Sequence, residues 1–241
     1  MVGTSTTGAG GWSRLDITDR SAVLALVSSV RPAVIVNAAS RYGDWAVCAD
    51  GAAHVALAAA AVGARLIHVS SDALHGGRPS PYLDADPPTP VNPYGAAKAA
   101  AETAVAAIDP SAAIVRTSLL IGDDRSTHVR LVLDLITGRR PGALFTDEYR
   151  CPIAVQDLAE AIWELAASDY AGPINVAGPE ALSRADLGRL IAKRHGFDPE
   201  SVPTQTIAEG GLGPRAADVR LDSSRAASLL KTRPRAASEC I

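Results

Sequence analysis

The sequence predicts an α/β protein: a doubly wound parallel sheet with a smaller C-terminal lobe. Helical and strand-like patterns alternate through the first half of the 241 residues, the arrangement expected of a parallel sheet covered by helices. The strand candidates are continuous apolar runs rather than alternating ones, as strands buried on both faces require. Beyond Gly122 the alternation loosens, which marks a second, smaller unit.

Taken in order, Asp19 caps a helix through about Val30, with Val23, Leu26, Val27 and Val30 on one apolar stripe. Ala33–Ala38 reads as a buried strand. A small-residue helix covers roughly Ala46–Val62, and the strand Leu66–Ser70 follows. The Pro-rich loop Arg78–Pro93 leads to a helix in which Asn92 is the cap, Pro93 the first residue and an Ala-rich run reaches Ile108. Ala112–Ser118 is the next strand. Strands near Leu144 and Ile174 and helices near Gln156–Ala167, Arg184–His195 and Ser223–Leu230 complete the pattern. Residues 1–122 are thus expected to form the sheet domain. Residues 123–241 are expected to form mainly the lobe, with some segments returning to the sheet.

Composition narrows the function classes. Hydrophobic residues make up 47% and charged residues 20%, ordinary for a globular protein with a sizeable core. The net charge of −3 gives no basic footprint, which argues against nucleic acid as a partner. Cys48, Cys151 and Cys240 are odd in number, far apart and without a C-x-x-C pair. They argue against a disulfide scaffold or a zinc site and for a reducing cytoplasm. The five histidines have no metal-ligand spacing, so no metal is expected. No apolar run reaches the ~18 residues of a bilayer span, and the N-terminus lacks the charged-then-apolar pattern of a secretion signal. A cytoplasmic protein with no membrane partner is the expectation.

Tyr94-Gly95-Ala96-Ala97-Lys98 carries the chemistry. A Tyr and a Lys four residues apart share one helix face, one turn apart. A nearby ammonium lowers a phenol's pKa and makes it a usable proton donor near neutral pH. Of the 23 basic residues only Lys98, Lys193 and Lys231 are lysines, so a Lys at this position suggests a need for a compact ammonium rather than a planar fork. Ser71, just past the Leu66–Val69 strand, is placed to hydrogen-bond the same substrate oxygen, with Ser70 competing for the role. This is the apparatus for reducing a ketone with hydride from a nicotinamide.

These residues, with their order and spacing, make the sequence resemble the extended short-chain dehydrogenase/reductases. Within them it is most similar to the dTDP-4-dehydrorhamnose reductase group of sugar-nucleotide-binding proteins. The resemblance runs through Leu15-Asp16-Ile17-Thr18-Asp19, Val36-Asn37-Ala38-Ala39, Ser70-Ser71-Asp72, Pro93-Tyr94-Gly95-x-x-Lys98, Val115-Arg116-Thr117-Ser118, Val176-Ala177-Gly178-Pro179-Glu180 and Arg220-Leu221-Asp222-Ser223-Ser224. It implies a Rossmann-like NAD(P)-binding domain, NADPH or NADH as cofactor and a nucleotide-sugar substrate; a homodimer is compatible with it. Tyr94 is then the proton donor, Lys98 lowers the Tyr94 pKa and bonds the nicotinamide ribose, and Ser71 polarises the ketone. Asp16 and Ile17 resemble the segment that meets the adenine, although Asp16 reads equally as a turn residue. Asn37, Ala38 and Ala39 end a strand with small residues where the backbone approaches the cofactor, or simply pack. Asp72 is a substrate-side candidate, and Arg116, Arg150 and Arg220 are candidates to meet a diphosphate.

Departures from the group also matter. Ala73 stands where the rhamnose-type reductases usually carry an aromatic, and Asp72-Ala73 lacks the Asp-Glu pair of the similar 4,6-dehydratases, which disfavours dehydration. A dinucleotide fold starts with an apolar strand, a Gly-rich turn and a helix whose N-terminus holds the pyrophosphate. Thr7-Gly8-Ala9-Gly10-Gly11-Trp12 imitates that turn, but no apolar strand precedes it and no amphipathic helix follows, so it is expected to be a loop. Met1–Ser5 reads as the tail of a second strand, and a strand-turn-helix unit encoded ahead of Met1 is the corresponding expectation. The readings left open are an NAD-dependent sugar epimerase and a non-catalytic, regulatory dinucleotide-binding subunit.

Overall fold

The computed structural model describes residues 1–124, 126–211 and 213–241. Four parallel strands form the main sheet in the spatial order Gly172–Asn175, Ala113–Thr117, Arg65–Ser71, Val34–Asn37. Val34 lies opposite Arg65, Ile67 opposite Ala113 and Ile174 opposite Val115. The longer helices are α1 (Arg20–Val30), α2 (Gly51–Val62), α3 (Pro93–Ile108), α4 (Thr127–Ile136), α5 (Val155–Ala166) and α6 (Arg184–Arg194).

Successive side chains of a strand point to opposite faces, and the cores follow that rule. Leu66 and Ile114 pack with Val23 and Val27 of α1, Val55 and Ala59 of α2 and Val105 of α3. Ile67, Val115 and Ile174 pack on the other face with Leu158 and Leu165 of α5 and with Ala226 and Leu230. Each such aliphatic side chain contributes roughly 1.5–3 kcal/mol on burial. A third cluster belongs to the lobe: Val129, Val132 and Leu135 of α4 meet Leu187 and Ile191 of α6, Leu144 and Val202.

The sheet is doubly wound as expected, with three corrections to its details and with the expected return of some segments from the lobe. The Val34–Asn37 strand is an edge of the sheet, so Val36 is 40% exposed rather than buried. In α1 the buried positions are Val23 and Val27, with Leu24 packed beside them, while Val30 is exposed. The Ile174 strand is part of the main sheet and α5 packs on it, so both return from the lobe. Helix α4 arises where the loosened pattern predicted no element; Ser126 caps it by accepting from the Val129 N–H.

The N-terminal segment stands apart from the main sheet. Thr4–Ser5 and Ser13–Arg14 pair in parallel with each other. Between them lies the short 3₁₀ turn Ala9–Gly11, in which Gly10 and Gly11 hold positive φ. The turn leads into a two-residue strand and opens no helix, as the sequence context had implied.

Candidate active site

Helix α3 begins where the sequence signals place its start: the Asn92 side chain accepts from the Gly95 N–H at 2.9 Å, and Pro93 occupies the first turn. Gly95 is required there. A Cβ at this position would sit 2.1 Å from the Ala73 carbonyl oxygen, so only glycine lets the helix start press against the Ser71–Leu74 turn. That contact brings Tyr94 to the C-terminal edge of the sheet, the end at which open α/β sheets bind ligands. The Ser71 hydroxyl lies near the Tyr94 phenol and lowers its pKa, and Ser40 Oγ lies 3.4 Å from Tyr94 Oη. Ser71 also accepts from the Ala73 N–H and donates to Asp72. Ser70 points away; its buried hydroxyl has no partner among the described residues.

In this arrangement the Lys98 ammonium is engaged by the strand behind the site. Lys98 is only 2% exposed, and its ammonium donates to the Val69 carbonyl at 2.7 Å, because a buried cation needs an acceptor. Burial lowers the Lys98 pKa, opposed by the charges of Cys48 and Glu102. Burial pushes the Tyr94 phenol up rather than down, and the hydrogen bonds of Ser40 and Ser71 pull it back. Asp72 and Cys48 also push it up. Next to Lys98, His68 accepts from the Asn37 amide at 3.3 Å and is held neutral, its pKa lowered to about 3 by burial and by the Lys98 charge. Asn37 in turn accepts from the Ala39 N–H, which fixes the exposed segment Ala38-Ala39-Ser40 beside Tyr94.

The arginines expected on the substrate side are each engaged by the fold. Arg116 is buried, forks onto Glu102 of α3 and donates to the Asp84 and Asp86 carbonyls. Arg150 is buried among the Tyr149 and Ala216 carbonyls, with Asp72 at 3.7 Å and Glu148 at 3.6 Å. Arg220 clamps Asp218 and donates to the Pro79 carbonyl. Asp72 is buried as well: Ser118 donates to it at 2.7 Å, and burial raises its pKa against the pull of Arg150. It therefore ties the Ser71–Leu74 turn to the end of the neighbouring strand and to Arg150. Asp16 is an exposed turn residue whose carboxylate accepts from the Thr18 N–H and hydroxyl, while Ile17 packs in the core under α2.

Ser40 and Tyr42 escaped the sequence reading, and Cys48 was read there only as one of three scattered cysteines. The Tyr42 ring lies 5.0 Å from that of Tyr94, centroid to centroid, and Cys48 Sγ lies 3.6 Å from Ser40 Oγ. For Ser40 the signal was positional, since the first residues beyond a parallel strand face the site. A cavity of about 390 Å³ lined by Cys151, Ala177, Asp222, Ser223 and Arg233 follows the Gly172–Asn175 strand and contains none of Tyr94, Lys98 or Ser71.

A family model described as the RmlD substrate binding domain matches residues 2–240. The chain belongs to that family. It is 34% identical over 215 residues to the dTDP-4-dehydrorhamnose reductase of Mycobacterium tuberculosis, covering 82% of this chain and 70% of that one. It is 32% identical over 234 residues to the dTDP-4-keto-6-deoxy-D-glucose reductase of Streptomyces niveus, covering 91% and 81%. Among solved structures, the dTDP-4-dehydrorhamnose reductase of Bacillus anthracis in complex with NADP superposes with a TM-score of 0.82 at 27% identity, over 93% of this chain and 84% of that one.

Against an RmlD-type cofactor the site divides in two. The donor set around Tyr94 (a phenol, the Ser40 and Ser71 hydroxyls, a buried ammonium and the small exposed residues Ala38 and Ala39) fits the reacting end of a nicotinamide dinucleotide. The diphosphate end finds no such fit among the described residues. The Gly8–Gly11 turn opens no helix, and the N-terminus of α1 is already capped by the Asp19 carboxylate, which accepts from the Ala22 N–H. No helix among the described residues is long and apolar enough to cross a membrane, and no cluster of residues among them is suited to hold a metal ion.

Proposed function

We propose that this RmlD-family chain is a reductase of the short-chain dehydrogenase type that reduces the ketone of a nucleotide-activated keto sugar of the dTDP-4-dehydrorhamnose class, with NADPH or NADH. The observation that carries the reading is the meeting of Tyr94 and Ser71: two hydroxyls from different elements, close together at the ligand edge of a parallel sheet, with a buried lysine one turn behind. The similarity to two dTDP-sugar ketone reductases and to an NADP-bound structure supports it.

The reduced nicotinamide supplies hydride to the carbonyl carbon when bound, and Ala38, Ala39 and Lys98 are the residues that would hold its reacting end. Ser71 donates to the carbonyl oxygen and polarises it. Tyr94 gives that oxygen its phenolic proton as charge develops there, which completes the alcohol. The raised phenol pKa keeps Tyr94 protonated, and so ready as an acid, across neutral pH. Lys98 holds the strand carbonyl of Val69 beside the site.

The test is turnover of dTDP-4-dehydrorhamnose with NADPH and with NADH. Tyr94→Phe is expected to lower turnover by roughly 10²–10⁴ with little change in cofactor affinity. Full activity in Tyr94→Phe would remove Tyr94 from the mechanism.

A further inference from the structure

A phenol that gives up its proton at every turnover needs two things: a donor to steady the phenolate, and a route for the next proton. Ser71 is poorly placed for the second. It is half-buried and already engaged with Asp72 and the Ala73 N–H. Ser40 has the opposite character. It is exposed, its Oγ lies 3.4 Å from Tyr94 Oη, and Cys48 Sγ sits 3.6 Å behind it. The Cys48 thiol donates to the Arg41 carbonyl at 3.2 Å, which fixes the short loop carrying Ser40. The Tyr42 ring, from the same loop, lies tilted against the Tyr94 ring with an interplanar angle of 32°.

We propose that Ser40 is a positioning residue for Tyr94 and its link to solvent, resting on the reduction assigned to Tyr94 above. After the Tyr94 O–H bond breaks and its proton passes to the substrate oxygen, Ser40 Oγ–H donates to the phenolate. The phenol re-forms with that proton, and the Ser40 oxygen takes a proton from water at its exposed side. Atoms and charge balance without a further reactant, because the electron pair has already entered the substrate as hydride from the reduced nicotinamide. Substrate therefore closes one side of Tyr94 while the other side stays in contact with water.

The charges around the phenol set the direction of the test. Cys48 on the element before α2 and Asp72 after the Arg65–Ser71 strand both push the phenol up, while Lys98 on the same helix is committed to the Val69 carbonyl. Ser40 opposes them by stabilising the ionised form. Removing its hydroxyl raises the Tyr94 pKa, makes Tyr94 a weaker acid and slows its recharging.

Two measurements decide the matter. In turnover of dTDP-4-dehydrorhamnose with NADPH, Ser40→Ala is expected to lower kcat about tenfold and to move the basic limb of the pH profile up by about one unit. KM is expected to stay within about twofold, because the role proposed for Ser40 acts through Tyr94 alone. Ser40→Thr, which keeps the hydroxyl, restores both kcat and the pH profile. In the free protein, with tyrosine labelled with carbon-13 at the phenolic carbon, the Tyr94 resonance is identified by its loss in Tyr94→Phe. It is expected to shift in Ser40→Ala and to return in Ser40→Thr. An unmoved resonance in Ser40→Ala, or a change confined to KM with the basic limb in place, overturns the proposal. A wild-type chain that reduces no ketone overturns the proposed function instead, and the resonance then still decides whether Ser40 holds the phenol.

Discussion

Helix α3 and the loop that precedes it are neighbours held by different forces. The helix is capped by Asn92 and buries Ala97, Ala101 and Val105, small apolar side chains at helical spacing. The loop, residues 78–92, has few such anchors and is tied down by guanidinium groups. Arg78 bridges Asp86 and the Pro81 carbonyl, Arg116 holds the Asp84 and Asp86 carbonyls, Arg220 reaches the Pro79 carbonyl and Arg225 pairs with Asp84. The difference teaches how the two kinds of residue read. An apolar period announces its own partner, the sheet. An arginine announces only that it needs acceptors, and here the protein's own carbonyls and carboxylates supply them.

The sharpest way to break this comparison is at the joint between the two regions, the buried pair Arg116–Glu102 at 2.8 Å. Glu102→Ala leaves a buried cation uncompensated and is expected to cost about 3–5 kcal/mol in urea denaturation. A cost below about 1 kcal/mol would place the pair among surface ion pairs and dissolve the distinction.

The helix side carries its own liability to acid. His68 sits neutral under α3 with its pKa lowered to about 3 by burial and by Lys98. The unfolded chain takes this proton near the ordinary histidine value, while the folded chain refuses it until about 3. Stability is therefore full above about pH 6.5 and falls as pH drops toward 3, by about 1.4 kcal/mol per pH unit from His68. Denaturation at pH 6.5 and 5 should differ by about 2 kcal/mol from this residue, and less in His68→Gln. His75 and His128, each lowered to about 4 by burial, act in the same sense. An identical pH slope in His68→Gln would mean that the ring is not excluded from water as its burial implies.

The smallest effect belongs to the loop. Arg220→Ala removes a half-exposed clamp and is expected to cost about 1 kcal/mol of stability with KM for the nucleotide sugar within about twofold. A tenfold rise in KM would return Arg220 to the substrate and contradict its assignment to the fold.

Much of the first half was legible because its signals are local. The cap at Asn92, Pro93 in the first turn, the Ala-rich run and the continuous apolar strands each act within a few residues, and the observed elements follow them to within about a residue. The lobe was less legible: α4 has a cap and an apolar stripe, but short strands such as Leu144–Phe145 owe their existence to distant partners, here Thr204–Gln205.

The sequence by itself determined the doubly wound sheet, the helix that presents Tyr94 and Lys98 on one face, and Ser71 at the end of a strand, because spacing along regular elements fixes which side chains share a face. Tertiary structure alone decided three other matters. It turned the Lys98 ammonium to a strand carbonyl, set Ser40 and Tyr42 against the phenol, and spent Arg116, Arg150 and Arg220 on the fold. Each depends on which polar group lies nearest a buried charge or hydroxyl once segments tens of residues apart have packed. Burial makes an unsatisfied charge costly, so the nearest acceptor claims it, and no periodicity records where that acceptor will be.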